Sequence, residues 1–482
     1  MTVEATAPSR QTKATTGLRT LALAVSIAVL ALGVPGALLL TVPDVGRSQG
    51  WVVTILIAVY GGVRLSVAWV SGVPRLFDFF LWLYTYVFMG VAATVQMRTG
   101  DVAETTPGMN PALDLPTAYV VLLGLVAYEV SRLVWFWLRR RTPTRELRSA
   151  GVSAFRGLLL YGLGFAFAAY YLYRLGWQVV VADRYTASDM ASQAWSEPST
   201  RAIVNALAVY PLLVATGAVA QLRQRSQPGA GRLAWTGLFW MGVAGLLLVA
   251  SPISSARYTF GTVAFAIACY FGVTRTQARA RLAMGGMILA MIFLFPIADA
   301  FRTSTVSVSR SSFFGEYAGN GDYDSFWQIA NALSYSLAGY VEPFRQILGS
   351  LLFWVPRTLW PDKPTDTGIL MADYRGYSFS NLSAPIWAEF LVNGGVLLVA
   401  VGFAVLGPLL ASLDRRMAPA HYAGGWWGLV GAILPVYMVI LMRGSLLQAT
   451  GALFVAIAGL IFVRRRSPAG NELPAVPRSS PD

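Results

Sequence analysis

The sequence contains almost no cysteine or histidine: one of each occurs among its 482 residues. The single cysteine, Cys269, lies in an apolar stretch and has no second cysteine in the chain with which to form a disulfide. The single histidine, His421, follows Asp414, Arg415 and Arg416 in a segment that we predict to be cytoplasmic. One cysteine and one histidine cannot supply the ligands of a structural zinc site, so a Cys/His metal site within one chain is excluded.

Charged residues are also scarce, at 12% of the chain, whereas hydrophobic residues make up 56%. A soluble domain of this length could not bury so much apolar surface, but a bilayer covers it. The net charge of +14 is by itself compatible with nucleic-acid binding. The arginines, however, fall in short runs between apolar stretches, which is how cytoplasmic loops of membrane proteins are marked. We therefore predict a bilayer as the surroundings of this chain and no nucleic-acid partner.

About 12 apolar segments are long enough to cross a bilayer, given roughly 20 residues per span. The sequence therefore predicts an all-α, polytopic integral membrane protein with one membrane domain, 18–463, between cytoplasmic tails 1–17 and 464–482. A cleavable signal peptide is not expected, because the first apolar run is long enough to span. The predicted spans are 18–42, 50–71, 76–97, 115–138, 152–174, 201–220, 233–251, 257–274, 282–300, 386–411, 422–442 and 445–463.

The orientation of the chain follows from the positive charges in its short loops. Alternate connections are rich in arginine, and the connections between them, such as 43–49, 98–114 and 252–256, are poor in it. We therefore predict a protein of the plasma or inner membrane with both termini cytoplasmic and with the loops near 98–114, 175–200 and 301–385 facing outward. The arginines assigned to cytoplasmic segments are Arg139, Arg140, Arg141, Arg145, Arg148, Arg223, Arg225, Arg232, Arg275, Arg279, Arg281, Arg415, Arg416, Arg464, Arg465 and Arg466.

The loop 301–385, between predicted spans nine and ten, is the long polar stretch of the chain. A helix is expected to begin at Ser325, which has capping-box spacing to Gln328. The amphipathic stretch Phe326–Tyr340 is expected to lie in the membrane interface. The stretch Gln346–Val355 is too short to span, so it is expected to be re-entrant or to pack on the outer helix ends. No regular helix is expected through the prolines that follow, Pro356, Pro361 and Pro364.

Charged residues inside or at the ends of the predicted spans form two groups. The first lies toward the cytoplasmic ends, where pairing or snorkelling accounts for it; its members are Arg64, Asp78, Glu129, Arg132 and Arg156. The second brings ionisable groups from four consecutive spans to one level at the outer ends; its members are Arg257, Asp299, Arg302, Glu389 and Arg443. Charges within a bilayer are costly, and arginine holds phosphate oxygens through a planar fork. The second group therefore indicates a site for an anionic head group.

The pair Asp322 and Asp324 has two interpretations. The spacing Asp-Tyr-Asp resembles acidic pairs that hold a divalent metal ion. The same residues also fit an ordinary turn after Gly319-Asn320-Gly321, with Asp324 as a helix N-cap. Both interpretations stay open at this point.

On these residues the chain resembles the Wzy-type oligosaccharide repeat-unit polymerases of the wider O-antigen polymerase and ligase superfamily. The layout is similar, with its large outward loop between spans nine and ten. The stretch 353–364 looks like the family's Pro-Arg…Trp-Pro-x-Lys-Pro pattern, and 385–395 is similar to its acidic helix start followed by a glycine-containing turn. Arg257 is similar to the arginine that opens an equivalent segment there. The outer-loop histidine of the ligase branch is missing, since His421 is on the other side, which favours a polymerase.

The resemblance implies a glycosyltransferase of the GT-C class that works at the outer face. Such proteins transfer a glycan from a polyprenyl diphosphate carrier to the end of another glycan. The implied partners are the lipid-linked glycan donor and acceptor, the bilayer and a chain-length regulator. Neither a metal nor another cofactor is expected, and the loop after the first span agrees, because it is short and its one acidic residue is Asp44.

The chemistry of that reaction suggests roles for particular residues. We expect Glu389 to remove the acceptor hydroxyl proton or to position that hydroxyl, with Glu342 as the second candidate. Fixed cations stabilise the charge that develops on a diphosphate leaving group; we assign this role to Arg257, Arg302, Arg357 and Arg443, assisted by Lys363. The aromatic residues expected to line the glycan path are Trp360, Tyr374 and Tyr377.

Two other functions stay open. One is a ligase that moves a finished polymer onto a different acceptor. The other is a secondary transporter or lipid flippase, which would place polar groups and broken helices near the bilayer midplane, often in repeated halves. Here the polar groups gather at one face and the long loop occurs once, which favours the polymerase.

Overall fold

The computed structural model describes residues 10–139, 150–297, 313–380 and 382–465. This part of the chain is all-α, as predicted, and eleven of its helices are long and apolar enough to cross a membrane. In chain order the helices are α1 (Gly17–Thr41), α2 (Gly50–Ser71), α3 (Leu76–Thr99), α4 (Pro111–Arg139), α5 (Ala154–Leu175), α6 (Arg184–Ala194), α7 (Thr200–Arg225), α8 (Ala230–Val249), α9 (Arg257–Tyr270), α10 (Gln277–Leu294), α11 (Ser325–Leu337), α12 (Arg345–Leu351), α13 (Thr367–Arg375), α14 (Ile386–Ala423), α15 (Trp426–Arg443) and α16 (Leu446–Val463). Of these α-helices, α6, α9, α11, α12 and α13 are the ones that do not count among the eleven.

The helix in the predicted span 257–274 is shorter than expected. This helix, α9, has 14 residues, which is about 21 Å at 1.5 Å per residue. It ends where Gly272 adopts a φ of 86°, a conformation that suits glycine in a turn. Even so, α9 crosses the bundle. Its first residue contacts Asp322 of the long loop, and its last, Tyr270, accepts a hydrogen bond from Gln224 near the far end of α7.

The helix ends define two faces of the bundle. We call the end beside residues 313–385 the loop face. There Arg47, just after α1, pairs with Asp114 at the start of α4 at 3.0 Å. At the other end, which we call the opposite face, the Ser153 amide before α5 donates to the Val463 carbonyl of α16 at 2.9 Å. Both described ends of the chain therefore lie at the opposite face.

Glycines let several helices touch along their backbones. A Cβ atom added at Gly407 of α14 would lie 2.5 Å from the Tyr128 carbonyl oxygen of α4. One added at Gly164 of α5 would lie 2.8 Å from the Leu212 Cα atom of α7. Small residues are typical of such close helix crossings in membranes. The α4–α14 contact fixes the helix that carries Glu389.

The described part of the long loop carries three α-helices, and one of them is buried in the bundle. Every residue of Ser325–Leu333 in α11 is buried, and α11 packs against α3, α4 and α14. The Trp327 indole N–H donates to Gln96 Oε1 of α3 at 2.7 Å. The prediction that 326–340 lies in the membrane interface is therefore wrong for 326–333, whose apolar and polar side chains are both buried in protein; residues 337–340 are exposed.

The other loop predictions agree better with the structure. A helix does begin at Ser325, although no side chain caps it. The stretch from Gln346 forms the short α12, which packs on α16, and residues 356–366 form turns and extended chain rather than helix.

The first group of charged residues pairs as predicted. Arg64 of α2 contacts Asp78 of α3 at 2.6 Å and Glu129 of α4 at 2.5 Å. Glu129 also contacts Arg132 at 2.6 Å. Arg156 donates to the Arg464 carbonyl oxygen at 3.3 Å. These contacts at the opposite face hold helices together and need no ligand.

Candidate functional site

Two arginines from different helices meet at one aspartate on the loop face. Arg257 Nη1, at the start of α9, lies 2.5 Å from Asp322 Oδ2. Arg443 Nη2, at the end of α15, lies 3.6 Å from Asp322 Oδ1 and 3.5 Å from Asp324 Oδ1. It also donates to the Asp322 carbonyl oxygen at 3.0 Å. We call these four residues the arginine cluster.

A short turn of the loop supplies the two aspartates. The Asn320 side chain accepts from the Asp322 amide at 2.9 Å and starts a 3₁₀ turn over Gly321–Tyr323. Asp324 Oδ2 accepts from the Ser383 amide at 3.1 Å, so this carboxylate joins two parts of the loop instead of capping α11. Burial raises the pKa of Asp324, and Arg443 opposes that shift. The aspartates are ion-pair partners of arginine, and Asp324 occupies the predicted N-cap position of α11 without a capping hydrogen bond from its side chain.

Aromatic rings enclose the arginine cluster. The Arg443 guanidinium lies 5.3 Å from the ring centre of Tyr258, and that of Arg257 lies 5.3 Å from Phe295. Tyr323 packs against Phe295 and Tyr317. Burial raises the pKa of Tyr323 far above its usual value, so this phenol stays neutral. Guanidinium groups held on ring faces lose little freedom on binding an anion.

The Glu389 carboxyl group lies in a second buried cluster. Its Oε1 accepts from the Leu446 amide at the start of α16, at 2.9 Å, and the side chain is fully buried. The Thr367 and Ser445 hydroxyls face the same carboxyl group, and the Thr367 amide donates to Ser445 Oγ at 3.3 Å. Asp366 stands beside them as the N-cap of α13, where its Oδ1 accepts from an amide. We call Glu389, Asp366, Thr367 and Ser445 the glutamate cluster.

Several polar atoms in the glutamate cluster lack a partner of normal hydrogen-bond geometry among the described residues. They are Glu389 Oε2, Asp366 Oδ2 and Thr367 Oγ1. Buried polar atoms are nearly always paired, so a group of such atoms needs an explanation. Burial raises the pKa of Asp366 to about 6, which shows how little solvation this cluster offers to a charge. The Thr367 and Ser445 hydroxyls face the two carboxyl groups, so the polar atoms of the glutamate cluster lie against one another.

The junction between α15 and α16 joins the two clusters. Arg443 belongs to the arginine cluster, and Ser445, two residues later, belongs to the glutamate cluster. The Arg443 carbonyl oxygen accepts from the Ala384 amide at 2.8 Å, which holds the chain before Glu389 against the same junction. The 443–446 segment thus carries Arg443 and also binds the buried Glu389 carboxyl group.

A break in α14 lies just behind Glu389. Gly394 and Gly395 have non-helical dihedral angles, and Gly395 has a φ of 64°. Asn393 donates from Nδ2 to the Glu389 carbonyl oxygen at 2.7 Å, and its Oδ1 accepts from the Ile347 amide of α12 at 3.1 Å. The glycine pair after Glu389 thus breaks the helix, and Asn393 beside it ties the long loop to the Glu389 helix.

The remaining predicted cations hold the loop in shape. Arg357 donates to the Lys363 carbonyl oxygen at 2.7 Å and to that of Pro364 at 3.3 Å. The Lys363 ammonium donates to the carbonyl oxygens of Phe353 and Val355 at 2.6 and 2.9 Å. Burial lowers the pKa of Lys363. No contact joins these residues to the arginine cluster in the part of the chain that the structure describes. Arg302 and Asp299 lie outside the described residues.

The second candidate base and the predicted aromatic residues lie nearer the loop surface. Glu342 is 54% exposed and pairs with Arg345. The Tyr374 ring packs with Tyr335 and Tyr340, 5.2 and 5.8 Å away. The Tyr377 hydroxyl donates to the Pro107 carbonyl oxygen at 3.1 Å. The half-buried Trp360 lies in a turn, where its backbone N–H donates to the Pro356 carbonyl oxygen at 3.1 Å. The structure brings Arg257, Arg443 and the helix of Glu389 together, and leaves these residues apart from them.

Sequence reasoning missed several members of the site. Asp322 and Asp324 were interpreted as a turn or a metal site, and Asp366, Thr367 and Ser445 carried no motif. Among the described residues, no group of three His, Cys, Asp or Glu side chains could hold a metal ion. One signal was available: Ser325, Gln328 and Asn331 recur every three residues, which places three polar side chains on one face of a helix. All three are buried, and Ser325 directly follows Asp324 in the chain.

Comparison with known proteins adds no assignment: no family model, curated protein or solved structure matches the chain.

Proposed function

We propose that this protein is a membrane glycosyltransferase of the Wzy type. It would polymerise polyprenyl-diphosphate-linked oligosaccharide repeat units at the outer face of the plasma or inner membrane. The observation that supports this most is the meeting of Arg257 and Arg443, from separate helices, beside the buried Glu389 carboxyl group. Phosphate recognition needs such cations, and glycosyl transfer needs a proton acceptor.

The proposed step assigns each cluster one task. The acceptor sugar hydroxyl attacks the anomeric carbon of the donor glycan, and the bond from that carbon to the diphosphate oxygen breaks. The leaving diphosphate takes the electron pair, and the Arg257 and Arg443 guanidinium groups balance its charge. The Glu389 carboxylate takes the acceptor proton. The hydroxyl and carboxyl groups of the glutamate cluster orient the sugar that carries it.

The experiment compares surface polysaccharide in cells whose own copy of the gene is deleted and replaced by variants. Arg443→Gln and Glu389→Gln should leave single repeat units in place of long chains, with protein levels near wild type. Loss of a general base typically costs 10²–10⁴-fold in rate. Arg345→Gln is the matched control, because its exposed pair with Glu342 lies outside both clusters, and it should keep long chains. Normal chains in both site variants would contradict the assignment.

The same experiment separates the polymerase from the alternatives. Accumulated long polymer that is still carrier-linked would indicate a ligase. A secondary transporter has one specific observation in its favour, the break at Gly394–Gly395, because discontinuous helices line transport sites. In liposomes supplied with purified repeat units, the proposed enzyme would form polymer without any other protein. A transporter would form none.

A further inference from the structure

A cavity lies at the opposite face of the bundle, away from both clusters. It has a volume of about 810 Å³ and lies among the start of α3, the last turns of α4 and the second half of α14. The proposed glycosyl transfer uses none of its residues. Its size is within the usual range for small-molecule sites, about 300–1,000 Å³.

Cations outnumber anions around this cavity. Its charged lining residues are Arg75, Arg132, Arg139, Arg415, Asp78 and Asp414. Both carboxylates are engaged by the fold. Asp414 accepts from the amides of Phe77 and Asp78 at 3.0 Å each. Asp78 is bound by Arg64 and by the Tyr128 hydroxyl at 2.9 Å. Arg132 is paired with Glu129 at 2.6 Å, so Arg75, Arg139 and Arg415 give the lining its net positive charge.

The cavity wall is apolar on the side of α4. The Phe136 ring lies 6.0 Å from the Arg75 guanidinium and 5.6 Å from that of Arg132. Leu133 lines the cavity and is 57% exposed, and the neighbouring Trp137 is 67% exposed. In a membrane such exposed apolar side chains face hydrocarbon. The cavity thus combines cations with a wall that continues onto the lipid-facing surface.

We propose that this cavity binds the phosphate headgroup of an anionic membrane lipid. The acyl chains would run along α4 past Leu133 and Trp137, and the phosphate would lie beside Arg75 and Arg415. Basic pockets between membrane helices are typical sites for anionic lipid headgroups. A soluble phosphate compound would use the cations and leave the apolar wall exposed, so the lipid fits the cavity better.

Purified full-length protein tests this proposal. Phosphatidylglycerol is titrated against the protein in detergent, and bound lipid is counted by native mass spectrometry, with phosphatidylcholine in a parallel titration. Arg75→Gln and Arg415→Gln should each weaken phosphatidylglycerol binding about fivefold, which is ~1 kcal/mol for one cation near an anionic lipid surface. Arg416→Gln is the matched control, because Arg416 adjoins Arg415 but packs over Trp427 and does not line the cavity. It should bind the lipid as wild type does.

Three results would overturn the proposal. Equal weakening in Arg416→Gln would show a general attraction to the basic face. Equal affinity for phosphatidylcholine would remove the role of charge. Displacement of the lipid by inorganic phosphate would assign the cavity to a soluble anion. Because Arg75 is exposed, its substitution leaves the packed core intact, and thermal midpoints measured without lipid confirm that the variants are folded.

Discussion

Asp322 holds Arg257 and Arg443 in position, and it also neutralises them. The arginine cluster contains two guanidinium groups and two carboxylates, so it has no net charge to offer a diphosphate. A bound diphosphate would have to take over the guanidinium edges that Asp322 now occupies. Asp322 can yield because its side chain is 23% exposed and sits on a short turn, whereas Asp324 is buried and bound to Ser383.

This competition predicts the effect of Asp322→Asn. The variant keeps the backbone carbonyl that Arg443 contacts and removes the carboxylate charge. We expect the apparent KM for the lipid-linked donor to fall about fivefold, equivalent to ~1 kcal/mol for one partly exposed ion pair. The initial rate of polymer formation, measured in liposomes over a range of donor concentrations, gives this value. A higher KM would show that Asp322 helps to bind the donor, and Asp362→Asn, on the exposed loop, is the control.

Asp366 makes stability depend on pH with a definite sign. Burial raises the pKa of Asp366 to about 6, so the folded protein binds this proton more tightly than the unfolded chain does. The contribution of Asp366 to the free energy of unfolding is therefore greatest at low pH. It falls by ~3 kcal/mol in total as the pH rises through that pKa. Asp366→Asn should be more stable than wild type at pH 7.5 and equal to it near pH 4, because asparagine keeps the cap acceptor and has no proton to lose.

Thermal midpoints in detergent across that pH range check the prediction. Asp183→Asn provides a control of opposite sign. Asp183 caps α6 from an exposed position, and hydrogen bonds from Thr186 lower the pKa of this aspartate. Its substitution should therefore reduce stability at neutral pH and have no effect in acid. Parallel curves for wild type and Asp366→Asn would contradict the raised pKa.

At the scale of elements, the break in α14 positions Glu389. Gly395 has a φ of 64°, where an L-residue costs about 1–2 kcal/mol. The predicted result of Gly395→Ala is a loss of this size in stability, together with lower activity, because Asn393 and Glu389 depend on the break. Thermal melting and polymer yield measure the two effects. Gly286→Ala is the control: this glycine lies inside α10 with open space around its Cβ position, so alanine should be neutral or slightly stabilising.

The sequence predicted the membrane helices well, since apolar length alone decides them. The length of α9 was harder to predict, because the position where this helix ends depends on the conformation of Gly272. The burial of α11 could not be predicted, because an amphipathic pattern is the same whether its apolar side meets lipid or protein. The sequence did predict that Arg257 and Arg443 lie at one membrane level, because each stands at the outer end of a predicted span. Their shared partner Asp322 was not found, because hydrogen bonds across such sequence separations leave no local pattern.

At the scale of the whole molecule, the two faces differ in chemistry. The loop face holds the arginine and glutamate clusters, which touch through the α15–α16 junction. The opposite face holds the Arg64 network, the basic cavity and both described chain ends. The proposed reaction draws on lipid-linked glycans outside the cell, so it requires the loop face to be outward. The arginine-rich short loops at the opposite face support that orientation.

Cysteine labelling tests this orientation directly. The one native cysteine, Cys269, is replaced by alanine, and single cysteines are introduced by Glu342→Cys on the loop face or Arg416→Cys on the opposite face; both positions are exposed. A membrane-impermeant maleimide added to intact cells should label the cysteine at position 342. The cysteine at position 416 should react only after the cells are permeabilised. The reverse pattern would place both clusters in the cytoplasm, where no outer-face polymerase could work, and would remove the proposed function even if every contact in the site is correct.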